Sequence, residues 1–275
     1  MVDAPIRAAA TLILYRRVPE KLVFLLRRSQ RSSFMPNAMV FPGGRVDEAD
    51  ADDLWHDLVV HPALVKGIDS PPQLAHYVAA ARETFEEAGV LLAEHDGEIL
   101  SPHSALGARV FGSFREQLNG GLCDFRSLVR DNHLKLRLDD MSYFSRWVTP
   151  QIEKRRFDAR FFVAELPPEQ AATADDRETT CGSWMRPSDA IAAYEAGDIE
   201  LAPPTLRILL TLAADWTALQ RLAAGASEPM APQVKRVDGE LHLVLPGDRD
   251  YDPPGDSINR VIRRDSRWIS KGSGA

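Results

Sequence analysis

Apolar and polar positions follow two rhythms along this chain. Residues 6–15 are apolar and β-branched almost throughout, and 21–26 repeat the pattern after Val18-Pro19-Glu20. A strand hairpin is therefore predicted at the start, and its apolar content places it in a central sheet. Arg27 and Arg28 follow, then a polar loop over 29–37 that carries Pro36. Met39-Val40-Phe41 reads as a short strand stopped by Pro42, and Gly43-Gly44 lets the backbone approach a neighbour closely. Residues 54–65 show helical spacing through Trp55, Leu58 and Val59. Ser70-Pro71-Pro72-Gln73 combines a capping box with proline at the first helical position. The helix it starts runs through His76, Tyr77 and Ala80 to about Ala88, where Gly89 supplies a left-handed cap.

The second half alternates the same signals. Residues 106–118 and 125–132 read as helices on either side of Gly120-Gly121, with Phe111, Phe114 and Phe125 as core aromatics. Strands follow at 143–150, 155–165 and 178–187, then helices at 188–196 and 203–224. A last hairpin is signalled by 234–237, the turn Asp238-Gly239 and 241–245. The residues after Pro253 are polar and are predicted to lack order. The chain of 275 residues is 44% hydrophobic and 27% charged, as expected of a soluble globular protein.

One stretch carries chemistry. In Arg82-Glu83-Thr84-Phe85-Glu86-Glu87-Ala88-Gly89-Val90 three carboxylates fall at i, i+3 and i+4, one face of a helix. Like charges at that spacing repel by a few tenths of a kcal/mol per pair, roughly. Either the face is merely solvated, or a cation sits between the side chains. Oxygen-only ligands suit a hard ion, Mg2+ or Mn2+. The net charge of −7 argues against a nucleic-acid backbone as partner. The two cysteines, Cys123 and Cys181, have no metal-type spacing and point to a reducing compartment, here the cytoplasm. No apolar run reaches the length of a membrane helix, and no signal-peptide core stands at the N-terminus.

With Gly43-Gly44 upstream, the stretch resembles the box of the Nudix hydrolases: Gly, five residues, Glu, seven residues, then Arg-Glu-apolar-x-Glu-Glu-x-Gly-apolar. The second half is matched by Arg82 to Val90, with Thr84 at an apolar position. Counting from Gly44, Asp50 stands at the first Glu, and the 31 residues 51–81 replace seven, an insertion of 24. A narrower resemblance is to the branch of that family similar to the peroxisomal coenzyme A diphosphatase. It rests on Trp147-Val148-Thr149-Pro150, Arg155-Arg156-Phe157-Asp158-Ala159-Arg160-Phe161-Phe162, Trp184, Pro203-Pro204-Thr205 and Leu245-Pro246-Gly247-Asp248, in that order.

The resemblance implies an α/β Nudix fold, a mixed and partly parallel central sheet between helices. It gives one domain over 1–250, a helical insertion at 51–69 flanking the site, a helical subdomain at about 100–140, and a polar tail at 251–275. Glu83, Glu86, Glu87 and the Gly43 carbonyl are the implied metal ligands, with Glu178 as a candidate from a later loop. Arg82 is expected to orient the carboxylates. Glu83 is the first candidate for general base, although any of the three can hold that role. Arg27, Arg28, Arg155 and Arg156, with Lys154, are the cations available to a substrate phosphate. The implied reaction is metal-dependent cleavage of a diphosphate in coenzyme A or acyl-coenzyme A. The alternatives are cleavage of ADP-ribose, NADH or a related nucleotide, or a sensing module without turnover. The expected partner is a small nucleoside diphosphate derivative, with no nucleic acid, no membrane and room for a homodimer.

Overall fold

The first two strands, β1 (Ile6–Arg16) and β2 (Leu22–Arg28), form the expected hairpin. The computed structural model describes residues 5–30, 35–61, 71–177, 179–221 and 229–272. Next come β3 (Ala38–Val40), β4 (Gly43–Arg45) and the box helix α1 (Pro71–Ala88). The middle of the chain holds β5 (Ala93–His95), β6 (Glu98–Ile99), α2 (Ala105–Arg109), α3 (Arg115–Asn119), α4 (Phe125–Asp131) and β7 (Leu134–Leu136). It continues through β8 (Ser142–Val148), β9 (Arg156–Glu165), β10 (Thr179–Met185), α5 (Pro187–Ala196), β11 (Glu200–Leu201), α6 (Pro203–Ala214) and α7 (Ala218–Arg221). The end is four strands, β12 (Gln233–Val237), β13 (Glu240–Val244), β14 (Asn259–Arg264) and β15 (Arg267–Gly272).

The main sheet runs β11-β3-β2-β1-β9-β8, with β10 on β2 and β4 on β1. β9 lies parallel to β1 from Ile6 opposite Arg156 to Tyr15 opposite Glu165. β1 meets β2 only at Tyr15 and Arg16, then leaves it and takes β4 against Ala9 to Thr11. Successive side chains of a strand point to opposite faces, so the two faces feed different cores. Ala10, Leu12, Phe162 and Ala164 pack with α1, while Ile13, Phe161 and Val163 pack with α5, α6 and the C-terminal sheet. On the α1 side Phe85 is fully buried between the rings of Phe111 and Phe125, at 6.1 and 6.3 Å. Burying such a side chain stabilises by about 1.5–3 kcal/mol. No described helix is long and apolar enough to cross a membrane.

Several expectations change. Residues 54–61 do not start an α-helix. Glu48–Ala51 and Asp53–Asp57 are short 3-10 turns, and Val59 bridges to Leu136. Asp52 caps the second turn at the Leu54 N–H (2.9 Å), and the Trp55 indole donates to Ala49 O at 2.8 Å. Trp55 is thereby held 1% exposed against Phe125, in the core rather than on a flap. The rest of the insertion and the Ser70 cap lie outside the described residues.

The expected helical stretch about 100–140 does contain α2, α3 and α4, but β7 closes a three-stranded sheet β6-β5-β7 with it. The expected helix over 203–224 stops at Asp215, whose carboxylate takes the N–H and hydroxyl of Thr217. The expected disordered tail instead supplies β14 and β15. Asp248 makes this possible: it is fully buried and accepts from Arg260 Nε (2.8 Å), Asn259 N (2.6 Å) and Asp250 N (2.8 Å). Arg260 is thus neutralised inside the sheet, a pairing that no local periodicity announces.

Candidate active site

The box helix ends as its sequence predicts. Gly89 has φ +69°, and its N–H reaches Phe85 O at 3.0 Å. A Cβ at Gly89 would lie 2.7 Å from Arg115 Nη1. Arg115 lies over that helix end and donates to Phe85 O (3.1 Å) and Glu86 O (3.1 Å), a cation on the negative end of the dipole. Thr84, at a position the motif keeps apolar, is 0% exposed and satisfied by donating to Ala80 O at 2.7 Å.

Arg82 is the hub of the site. Its Nε and Nη2 grip Asp50 at 3.0 and 2.9 Å, so the residue displaced by the insertion does return to the box helix. Nη1 donates to Glu83 (2.9 Å) and Glu86 (3.1 Å), and Nη2 also donates to the Arg45 carbonyl at 2.9 Å. A guanidinium has five N–H donors, and these five bonds use them all. Each charge-assisted bond contributes about 1.5–3 kcal/mol, several times the roughly 0.2–0.5 kcal/mol repulsion between like charges one helical turn apart. Burial works against the Arg82 charge, but the bond from Asp50 and the charges of Glu83 and Glu86 outweigh it and raise its pKa. For Glu86 burial is the larger effect and raises the carboxyl above its ordinary value, against the pull of Arg82.

The glycines bring backbone to these carboxylates. Gly43 N–H donates to Glu87 at 2.9 Å. A Cβ at Gly44 would stand 2.4 Å from Glu83 Oε1, and one at Gly43 would stand 2.5 Å from Ala10 O. The donor set of Glu83, Glu86, Glu87 and nearby carbonyls is all oxygen, which fits a hard divalent cation. Among the described residues no three acidic side chains converge on one point. Glu83 and Glu86 share Arg82 Nη1 while Glu87 holds Gly43, so binding an ion requires these carboxylates to turn.

Glu83, Glu86, Glu87, Gly43 and Arg82 line one cleft of about 1260 Å³. Of the predicted phosphate cations, Arg28 and Arg155 line it, whereas Arg27 and Arg156 do not. Arg156 is 8% exposed and donates to Thr149 O (3.3 Å). Both follow from the two-residue period of a strand: Arg27 alternates with Arg28 on β2, and Arg156 alternates with the cleft-lining Phe157, Ala159 and Phe161 on β9. Glu178 lies outside the described residues. Arg7, Arg45, Arg263 and Trp268 line the cleft and were not anticipated. Arg7 is in step with the cleft-lining Ala9 and Thr11, so that strand period was the available signal. Arg263 and Trp268 sit in the stretch read as a tail, where the turn Asp265-Ser266 lacks the usual glycine.

The NUDT19 Nudix domain model matches residues 6–70 and 61–212. An acyl-coenzyme A diphosphatase NUDT19 from Xenopus laevis is 28% identical over 269 residues, covering 83% of this chain and 71% of its own length. The human protein of that name is 28% identical over 292 residues, covering 89% and 76%. A solved NUDIX hydrolase from Alicyclobacillus acidocaldarius superposes with TM-score 0.66 at 24% identity, covering 82% of this chain and 99% of that one. That superposition establishes the fold: a mixed, curled sheet with helices.

Proposed function

The chain belongs to the NUDT19 Nudix family, and from that premise we propose that it hydrolyses the diphosphate of coenzyme A or an acyl-coenzyme A. The products are adenosine 3′,5′-bisphosphate and 4′-phosphopantetheine or its acyl form. The names of the frog and human relatives support this substrate. The observation that carries the reading is the carboxylate cluster around Arg82 on the wall of a cleft that also holds several arginines.

Each residue then has a task. Glu83, Glu86, Glu87 and the Gly43 carbonyl would hold Mg2+ or Mn2+, with Glu178 as a further candidate ligand. The ion, when bound, neutralises phosphate charge and lowers the pKa of water. Arg82 has no donor left for substrate and acts as a positioning residue. Asp50 fixes the guanidinium, the anchor about which Glu83 and Glu86 turn toward an ion. Water adds to a phosphorus, the bridging P–O bond breaks, and the water proton passes to a carboxylate, with Glu83 the first candidate. Arg28 and Arg155 face the anionic substrate. Both cysteines are free, which supports a reducing compartment such as the cytoplasm.

The test separates products by chromatography for coenzyme A, ADP-ribose and NADH, with Mg2+ or Mn2+ and with excess EDTA. Coenzyme A is expected to give the two products above, faster than ADP-ribose is cleaved, and only with metal. Full turnover in EDTA overturns the metal assignment. Intact coenzyme A beside cleaved ADP-ribose overturns the substrate.

A further inference from the structure

The C-terminal sheet presents a row of three side chains to the cleft. Leu241, Arg263 and Trp268 are direct cross-strand partners on β13, β14 and β15, and all three line it. The Arg263 guanidinium carbon lies 4.9 Å from the Trp268 ring centroid. The backbone of Trp268 is anchored, its main-chain N–H donating to the Tyr194 hydroxyl at 2.6 Å. Among the described residues the Arg263 side chain makes no hydrogen bond or salt bridge. It is a half-buried cation lying over an aromatic face, with its N–H donors uncommitted.

Its cleft neighbours differ. Arg82 is saturated by five bonds. Arg7 and Arg45 are exposed and stand on β1 and β4, the strands that frame the carboxylates. Arg263 comes from a separate sheet, so a ligand whose diphosphate lies at the carboxylates meets it with a different group. The planar fork of a guanidinium matches two oxygens of a carboxylate or phosphate at once, and so suits a dianionic phosphomonoester. On the diphosphatase reading above, the substrate carries one such group apart from its diphosphate. We propose that Arg263, positioned by Trp268, binds the ribose 3′-phosphate and makes the enzyme prefer coenzyme A to its dephospho form. The family model matches residues only as far as 212, so this assignment rests on the geometry of the C-terminal sheet.

The experiment measures kcat/KM for coenzyme A and dephospho-coenzyme A at one metal concentration, in the full chain and in Arg263→Gln, Arg263→Lys and Trp268→Leu. The wild type is expected to prefer coenzyme A by about ten- to a hundred-fold, the strength of a charge-assisted contact. Arg263→Gln should bring the ratio to within about threefold of one, through KM. Arg263→Lys should keep part of it, as charge without the fork, and Trp268→Leu should lie between. An equal loss on both substrates, or an unchanged ratio, overturns the proposal.

A binding arm keeps the test independent of turnover. Calorimetry compares adenosine 3′,5′-bisphosphate with AMP on wild type and Arg263→Gln. The bisphosphate should bind the wild type about tenfold tighter or more, and the variant should lose that margin. Equal affinity for the wild type overturns the proposal even if coenzyme A is cleaved. Absence of coenzyme A cleavage with the margin intact overturns only the substrate reading.

Discussion

Two buried aspartates each grip an arginine with both oxygens, one in the box and one in the C-terminal sheet. Asp50 is 2% exposed and holds Arg82; Asp248 is 0% exposed and holds Arg260. Their pairwise chemistry is the same. The difference is where the remaining bonds go. Arg82 spends its last two N–H donors, both on Nη1, on Glu83 and Glu86, which line the cleft. Asp50 accepts one backbone N–H, from Asp47 at 2.8 Å, whereas Asp248 accepts two, from Asp250 and Asn259, and Arg260 turns its spare donor to Asp250 at 2.7 Å. The first pair transmits order to reactive side chains. The second folds a loop and starts a strand. A buried ion pair therefore does not mark a site by itself; its outward bonds do.

The largest effect should come from the second pair. Asp248→Ala leaves Arg260 buried with only Asp250 as a carboxylate partner and frees two backbone amides. Breaking such a pair costs about 3–5 kcal/mol. Denaturant unfolding should read that loss, while the molecules still folded keep kcat on dephospho-coenzyme A within about threefold of wild type. A specific collapse of kcat at unchanged stability would place Asp248 with the site and undo the contrast.

The first cluster should behave the other way. Glu86→Gln and Glu87→Gln keep shape and remove the charge assigned to the metal. Each should lower kcat by about a hundredfold or more, as for loss of a group that stabilises developing charge. Unfolding should lose no more than about 1.5–3 kcal/mol, the charge-assisted bond that each carboxylate makes, and less than Asp248→Ala loses. Tenfold more metal should recover part of the activity if the lost group is a ligand. Near-normal turnover in both variants would reduce the carboxylate face to a solvated surface.

A smaller loss is expected at Gly44→Ala. The new methyl meets the end of the Glu83 side chain, a flexible group that can move aside, so stability should fall little. The displaced carboxylate should cost about tenfold in kcat/KM, since misplacement of about 1 Å costs up to about a hundredfold. If stability falls and activity per folded molecule does not, Glu83 has no role in the reaction.

Much of the box was legible because a helix writes its faces at fixed spacing. Glu83, Glu86 and Glu87 needed only that period, and Asp50 only a count from Gly44. The misses share a different cause. Trp55 has helical neighbours in Leu58 and Val59, yet the Asp52 cap and its own indole bond to Ala49 turn the chain another way. β14 hides because Arg260, Arg263 and Arg264 look solvated, whereas Arg260 is buried on an aspartate 12 residues earlier. Arg27 and Arg156 were grouped with Arg28 and Arg155 by sequence proximity, where the strand period separates them. In each case the deciding fact is the side chain's partner or facing in the fold, twelve residues away for Arg260 and close by for Trp55, and a single sequence does not show it.

The smallest effect lies in the acid limb of stability, and it bears on the second pair alone. Burial works to raise the Asp248 pKa, but the bonds from Arg260 and from the Asp250 and Asn259 amides hold it below the ordinary carboxylate value. A depressed pKa in the folded state means that the unfolded chain takes up the proton first. Its stabilisation is therefore complete above the unfolded value, about 3.9, and is lost as pH falls through the lower folded value. Asp248→Asn has no proton to bind at this position, so its stability should fall less steeply below about pH 4, by at most about 1.4 kcal/mol per pH unit. Urea midpoints from pH 5 to pH 2 measure the two slopes. Wild type and variant should converge as pH drops. Parallel curves would mean that Asp248 does not hold its charge on Arg260, and the distinction between a pair that folds and a pair that positions would lose its electrostatic basis.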